Sequence, residues 1–385
     1  MRSIHPLKGV LNVITLKKFT GISPYIHLKR NTSNGQKPFL EPDSATFLDG
    51  ISLFFGYHRI PKMLYGFTFS QTLYVAVKLG IADHLSECPK NCEELATELD
   101  VNVNALCHLM KVLAKLGIVR VNKKGLYQLT ALGSYLQSNT PNSLQGTVLS
   151  IGETYPVWGN LLYSIQSGKE AFKKTFHQEI YDYLGKNPAS NAHFNRWMEE
   201  TTRDWIIPTL DICELSQVKT VVDVGGSTGT LIAMILKRYP HLQGILFDQE
   251  HVVSGAPKIL EAAQVTDRCQ VVGGSFFDSI PTGGEIYIIS RVLLNWDDTK
   301  ALNILKNCRA AMNDSARLLI IDFVLSKKGM STYELMGSFQ MFVIGSGHLM
   351  RTDDEYYHLL LEAGFQSPQL IKTGGSLSFI EAVPG

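Results

Sequence analysis

In Thr220-Val-Val-Asp-Val-Gly-Gly-Ser-Thr-Gly229 a β-branched run ends in glycines and opens onto the apolar Leu231-Ile-Ala-Met-Ile-Leu-Lys237. That order reads as strand, tight turn, helix. Gly225, Gly226 and Gly229 let the backbone pass close to a ligand, and the helix N-terminus beyond them offers free N–H groups to a carboxylate or phosphate. Asp248 closes the next apolar run, Ile245-Leu-Phe-Asp248. A carboxylate at the end of that second strand can accept hydrogen bonds from two ribose hydroxyls. The chemistry indicated is the holding of a nucleoside-bearing cofactor.

The elements that must position these groups follow a doubly wound α/β pattern. Strands are predicted at 220–224, 242–247, 269–273, 285–290 and 316–323, alternating with helices near 229–238, 254–263, 298–312, 333–344 and 353–363. Two further runs, 368–373 and 377–382, are separated by a two- to three-residue turn in Thr373-Gly-Gly-Ser376, which predicts an antiparallel hairpin at the end of a seven-stranded sheet. Upstream, 67–79 has helical spacing and ends at Gly80, and 93–99 with 103–116 reads as a helix-turn-helix. The stretch 117–129 reads as a two-stranded wing around Asn122-Lys-Lys-Gly125. A winged helix invites a DNA-binding reading, but its second helix offers mostly Asn, Leu, His and Met, with Lys111 and Lys115 late. A structural or dimerisation role is expected instead. The predicted domains are a basic leader over 1–45, the winged-helix module over 46–144, bridging helices over 145–215 and the cofactor domain over 216–385.

With 385 residues, 45% apolar and 18% charged, the chain has room for two globular domains. Its net charge of +1 gives no general case for nucleic acid or an acidic membrane. Residues 1–40 hold seven Lys/Arg and no acid, leaving 29 basic against 35 acidic residues beyond them. Such a leader fits a mitochondrial transit peptide or a plain basic extension. No run of about twenty apolar residues predicts a membrane span. Six scattered cysteines form no disulfide framework, and Cys88 with Cys92 lacks a second metal-ligating pair nearby. Reduced thiols and a cytoplasmic location are expected, with mitochondrial import as the alternative.

Val222-Asp-Val-Gly-Gly-Ser-Thr-Gly229, Val272-Gly-Gly-Ser-Phe-Phe-Asp278, Ser290-Arg-Val-Leu-Leu-Asn-Trp-Asp-Asp298, Met350-Arg-Thr352 with Glu355, and Gly364-Phe365 occur in one order. Together they resemble the class I S-adenosylmethionine-dependent O-methyltransferases of small molecules, the acetylserotonin, caffeate and hydroxyneurosporene types among them. The resemblance covers roughly residues 65–383. It implies S-adenosylmethionine as cofactor, a small acceptor as substrate and a homodimer built through the N-terminal module. By the same resemblance Asp223, Gly225, Gly226 and Gly229 hold the methionine end and Asp248 the ribose. Ser275 and Phe276 lie by the adenine, and Arg291 lies near the cofactor. Two positions depart from the pattern: Ser227 replaces a glycine, and Ser275 replaces an acid.

The reaction centre departs further. The family's proton-accepting histidine precedes the tryptophan by two residues, and here Leu294-Asn295-Trp296 puts leucine at that place and an amide beside it. The glutamate that orients the histidine corresponds to Met350. None of the three accepts a proton at neutral pH, so the catalytic group is unassigned. Substitute bases could come from His348, Glu153, His177 or Asp204. The acceptor pocket implied by resemblance includes Leu294, Asn295, Gln340, Met341 and Ile344, with Trp158 and Met198 from the bridging helices. Three readings follow: methyl transfer to an acceptor that needs no strong base, a relative using the cofactor without transfer (hydroxylase, decarboxylase or pericyclase), or a non-catalytic dimeric binding protein.

Overall fold

The computed structural model describes residues 60, 63–325, 332–345, 349–373 and 377–385. The predicted leader and His348 lie outside the described residues. Residues Tyr65–Gly385 form one compact unit. Among the described residues no helix is long and apolar enough to cross a membrane.

The N-terminal part of that unit is helical because its segments carry their own start and stop signals. Gly80 takes the left-handed conformation at φ +67° between the helices Gly66–Lys78 and Ile81–Glu87. Helix Cys92–Leu99 begins with a capping box in which Asn91 and Glu94 satisfy each other's backbone N–H. In helix Val103–Lys115 the Asn102 side chain accepts from Ala105 N at 3.0 Å. Leu95, Met110 and Leu113 are fully buried where these helices meet. Strands β1 (Val119–Val121) and β2 (Tyr127–Leu129) follow as an antiparallel pair, turned by Asn122, whose carbonyl side chain accepts from Lys124 N and Leu126 N. The helix-turn-helix and hairpin therefore form as the spacing predicts.

Bridging helices run from Gln145–Glu153 to Pro188–Thr201, and the two pack backbone to backbone. A Cβ on Gly146 would stand 2.6 Å from Trp197 N, so only glycine permits the approach. The buried Glu200 carboxylate caps Gln145–Glu153 by accepting from Gly146 N at 2.9 Å and Thr147 N at 2.8 Å.

The seven-stranded sheet is built from β3 (Thr220–Val224), β4 (Gln243–Asp248), β5 (Cys269–Gly273), β6 (Ile286–Ser290), β7 (Arg317–Asp322), β8 (Phe365–Lys372) and β9 (Ser378–Pro384). Its order is β5-β4-β3-β6-β7-β9-β8. The first five are parallel, and β9 runs antiparallel to both β7 and β8. Helices cover both faces, which is why the central strands are mostly apolar. Val222, Tyr287 and Ile320 bury into one layer, and Val221, Ile288 and Phe379 into the other.

The hairpin differs in detail from its prediction. β8 begins at Phe365 rather than 368, because Ser367 at φ +51° creates a bulge between Gln366 and Gln369 that breaks the alternation. Five residues, 373–377, separate β8 from β9, and the Thr373 hydroxyl closes that connection by donating to Leu377 O at 2.6 Å.

Candidate active site

The strand order reverses between β3 and β6, leaving a crevice at their carboxyl ends where open α/β sheets take their ligands. The glycine loop fills one side of it. Gly225 N and Gly226 N both donate to Phe247 O, at 2.8 and 3.2 Å, tying the loop to β4. Gly225 and Gly229 hold φ of +72° and +85°. A Cβ on Gly226 would meet the Asp223 carboxyl and Leu246 at 2.6 Å. Helix Thr230–Arg238 starts at Gly229 with no capping side chain there, and in its first turn Ile232 N–H is directed to the Asp223 carboxyl.

Ser227, the non-glycine of the loop, keeps a left-handed φ of +55°. Its N–H donates to Asp248 Oδ2 at 2.8 Å, and Gln249 N donates to Oδ1 at 2.7 Å. The carboxylate is thereby fixed with lone pairs to spare. Burial raises its pKa, partly opposed by these two N–H groups.

Asp223, next to the last residue of β3, is buried, and its Oδ2 has no hydrogen-bond partner. Burial, then the Asp248 charge, pushes this carboxyl up to about 7. Arg291, just past β6, sits at φ +56°. Its two terminal nitrogens donate to Thr201 Oγ1 and Thr202 Oγ1, each at 2.5 Å, while Nε has no partner. Burial lowers this guanidinium to about 10, against the pull of Asp322 and Asp223. Two groups of opposite charge on adjacent strands thus each keep one unsatisfied buried atom. The hydroxyl of Ser290 is a third. Such orphans point to a missing ligand.

Phe276 packs beside the loop, 3.6 Å from where a Gly225 Cβ would stand, and edge-on to Trp296 at 6.2 Å. The Ser275 hydroxyl accepts from Phe277 N at 3.2 Å. Leu293–Asn295 form a tight turn in which Leu294 is buried. Asn295 spends its amide on Arg291 O at 3.0 Å. Buried Arg351 fixes the same turn by donating to Leu293 O at 2.8 Å, Trp296 O at 2.6 Å and Asp298 Oδ1 at 2.8 Å.

Residues 158–366 match the O-methyltransferase domain, and residues 62–139 match the O-methyltransferase dimerisation domain. The chain belongs to the O-methyltransferase family. It is an S-adenosylmethionine-dependent methyltransferase. Among its relatives is a phenazine O-methyltransferase of Lysobacter antibioticus, 36% identical over 84% of this chain and 95% of that one. Another is a phenazine-1-carboxylate N-methyltransferase of Pseudomonas aeruginosa, 28% identical over 78% of this chain and 90% of its own. The structure of human N-acetylserotonin methyltransferase in complex with S-adenosylmethionine superposes with a TM-score of 0.78, at 26% identity, covering 86% of this chain and 98% of that one.

The structure of this methyltransferase brings the eight residues expected at the cofactor to the ends of β3, β4 and β6 and the turn after β5. The acceptor side is less uniform. Trp158 meets Phe339 at 5.9 Å on helix Thr332–Ile344, but Ile344 itself is buried in an aromatic cluster with Val157 and Phe172. It backs that wall rather than lying open. Gln340 and Met341 are half-buried on the same helix. Met198 reaches Arg291 with its carbonyl oxygen at 3.5 Å. Of the substitute bases, Asp204 is paired with Arg203 at 2.7 Å, His177 ends a helix at φ +58°, and Glu153 lies 2.8 Å from His193. Among the described residues no cluster of His, Cys, Asp or Glu could hold a metal.

Sequence reasoning missed Thr201 and Thr202, which lie some ninety positions from Arg291 with no local motif. The one signal is structural, a π-helical turn over Thr202–Ile206.

Proposed function

We propose that this methyltransferase acts on a hydroxyl of a small, flat aromatic or polyketide-like acceptor, as a homodimer, and without a histidine base at position 294. The observation that carries most weight is the pair of unsatisfied buried atoms at the switch point, Asp223 Oδ2 and Arg291 Nε. An acceptor and a donor of opposite charge complement the ammonium and carboxylate of an amino-acid tail. Asp223 and the glycine loop would take the methionine end, Asp248 the ribose diol, and Ser275 with Phe276 the adenine. When bound, S-adenosylmethionine supplies an electrophilic methyl group on a sulfonium.

The protein's part is then to present a nucleophile. Leu294 and Met350, both buried, exclude water and take no proton, and Asn295 is spent on holding its own turn. Rate would come from orientation and exclusion of water. An acceptor whose hydroxyl is acidic in its own right suits such a site, because no side chain there removes a proton held at neutral pH. The aromatic wall of Trp158, Phe339 and Phe342 favours a flat partner. The relative named as a phenazine O-methyltransferase supports that class.

The test is incubation with methyl-labelled S-adenosylmethionine and a panel of phenols, hydroxyindoles and polyketides. Labelled ether and S-adenosylhomocysteine are expected in equal amounts. Tight cofactor binding without either product would contradict the proposal and leave a binding protein. Acceptor turnover without S-adenosylhomocysteine would make it a relative that keeps the cofactor but does not transfer.

A further inference from the structure

We propose that Glu250 supplies the acceptor that reads the 6-amino group of the cofactor's adenine, in place of the acid missing at position 275. This rests on the reading above that puts the adenine beside Ser275 and Phe276. The amino group is a donor and needs an acceptor opposite it. Ser275 serves that end poorly. Its hydroxyl already accepts from Phe277 N at 3.2 Å, which turns the short side chain back onto its own loop. A carboxylate carries two acceptor oxygens and makes the stronger hydrogen bond to an N–H donor.

Glu250 stands two residues past Asp248 and opens the short helix Glu250–Val253. Its side chain folds back over the end of β5. A Cβ on Gly273 would collide with Glu250 Oε2 and stand 2.6 Å from Cδ. Gly273 is not one of the glycines at positive φ, so its backbone conformation does not call for glycine. What the missing side chain provides is room for the Glu250 carboxyl. Gly273 is also the register partner of Asp248, and Gly274 N donates to Asp248 O at 2.9 Å. The Glu250 carboxylate therefore rests on the last rung of the β4–β5 pair. That rung carries the ribose-side Asp248 on one strand and leads to Ser275 two residues further along the other.

An acid in the first turn of a helix is favoured by the free N–H groups there. Here the side chain lies across β5 instead, and among the described residues no hydrogen bond or ion pair reaches its carboxylate. It is exposed, held by packing alone, and free to take a donor. With Asp248 turned to the ribose diol and Glu250 to the amino group, two acceptors bracket the nucleoside and leave Phe276 to the ring face. Such a site discriminates among purines. One without the amino group leaves the carboxylate unanswered, and a 6-oxo purine sets an acceptor against it.

Two ligands test this by calorimetric titration, without any turnover: S-adenosylhomocysteine, and its counterpart with unsubstituted purine in place of adenine. The unaltered protein is expected to bind the adenine form about tenfold more tightly. Glu250→Ala should remove most of that difference by weakening the adenine form alone. Because Glu250 is exposed and unpartnered, its truncation spares the fold. Glu250→Gln keeps one acceptor oxygen and should retain part of the preference. Ser275→Asp added to Glu250→Ala should bring the preference back. No preference in the unaltered protein, or an equal loss for both ligands in Glu250→Ala, would overturn the assignment. Should the unaltered protein bind neither ligand, the cofactor site itself fails and the assignment falls with it. Normal binding of S-adenosylhomocysteine without discrimination sinks the role of Glu250 alone.

Discussion

Asp223 ties cofactor binding to pH. Burial and the neighbouring Asp248 raise its carboxyl from 3.8 to about 7. A folded pKa above the ordinary one favours the protonated fold, so this contribution is complete below about pH 4 and is lost as pH rises through about 7. A cationic ligand group favours the ionised form instead. Affinity for S-adenosylmethionine is therefore expected to climb between about pH 5 and 7, by up to about tenfold per unit. Calorimetric titration across that range checks it, and Asp223→Asn should flatten the profile. Asp322, also pushed up to about 7 by burial, stays in that variant as an internal control. Ser227 offers a second test, because a serine at φ +55° is strained where glycine is not. Ser227→Gly should stabilise the protein by about 1 kcal/mol in chemical denaturation, and its backbone N–H to Asp248 survives the change. A loss of stability would mean that the serine hydroxyl matters. The glycines and Asp248 were legible because a turn at a strand end leaves a local signature. The Thr201–Arg291–Thr202 bracket and the Glu153–His193 pair were not, since each joins residues of different elements far apart in sequence.

At the scale of elements, Arg351 holds the reaction turn from outside. It is buried, donates to the carbonyls of Leu293 and Trp296, and lies 5.8 Å from the Tyr356 ring. Arg351→Met would leave the Trp296 carbonyl without its donor and the Leu293 carbonyl with Trp296 N–H alone, and should cost about 2 kcal/mol, measured by thermal or urea unfolding. Methyl transfer should fall further than cofactor affinity, because Leu294 and Asn295 move while the glycine loop does not. An unfolding curve unchanged from the parent would contradict this role. The parallel strands and their helices were legible almost to the residue, because apolar runs bounded by glycine and polar turns leave little choice of register. β8 was not, since the bulge at Ser367 hides its first residues from a period-two pattern. Arg351 lay inside a recognised motif, yet nothing local says that its guanidinium reaches back more than fifty residues to Leu293.

The whole molecule presents an apolar groove of about 450 Å³ on its N-terminal helices, lined by Phe67, Val75, Val101, Ala105 and Leu109 among others. Phe67 and Val75 are 50% and 40% exposed there, which a monomer in water has no reason to keep. A second copy across this groove fits the dimerisation domain that the sequence carries. Ala105→Arg is expected to halve the mass seen by light scattering while cofactor affinity persists, and an intact dimer would contradict that placement. The acceptor must lose its proton by itself, because apolar and amide side chains stand around the turn at Leu294. The most direct test of that is the rate of methyl transfer across a series of phenols of graded acidity, each followed against pH. Rate should track the ionised fraction of each phenol, with the profile shifting from one acceptor to the next. A single inflection near pH 6.5, shared by all the phenols and independent of their acidity, would reveal a histidine base and contradict it.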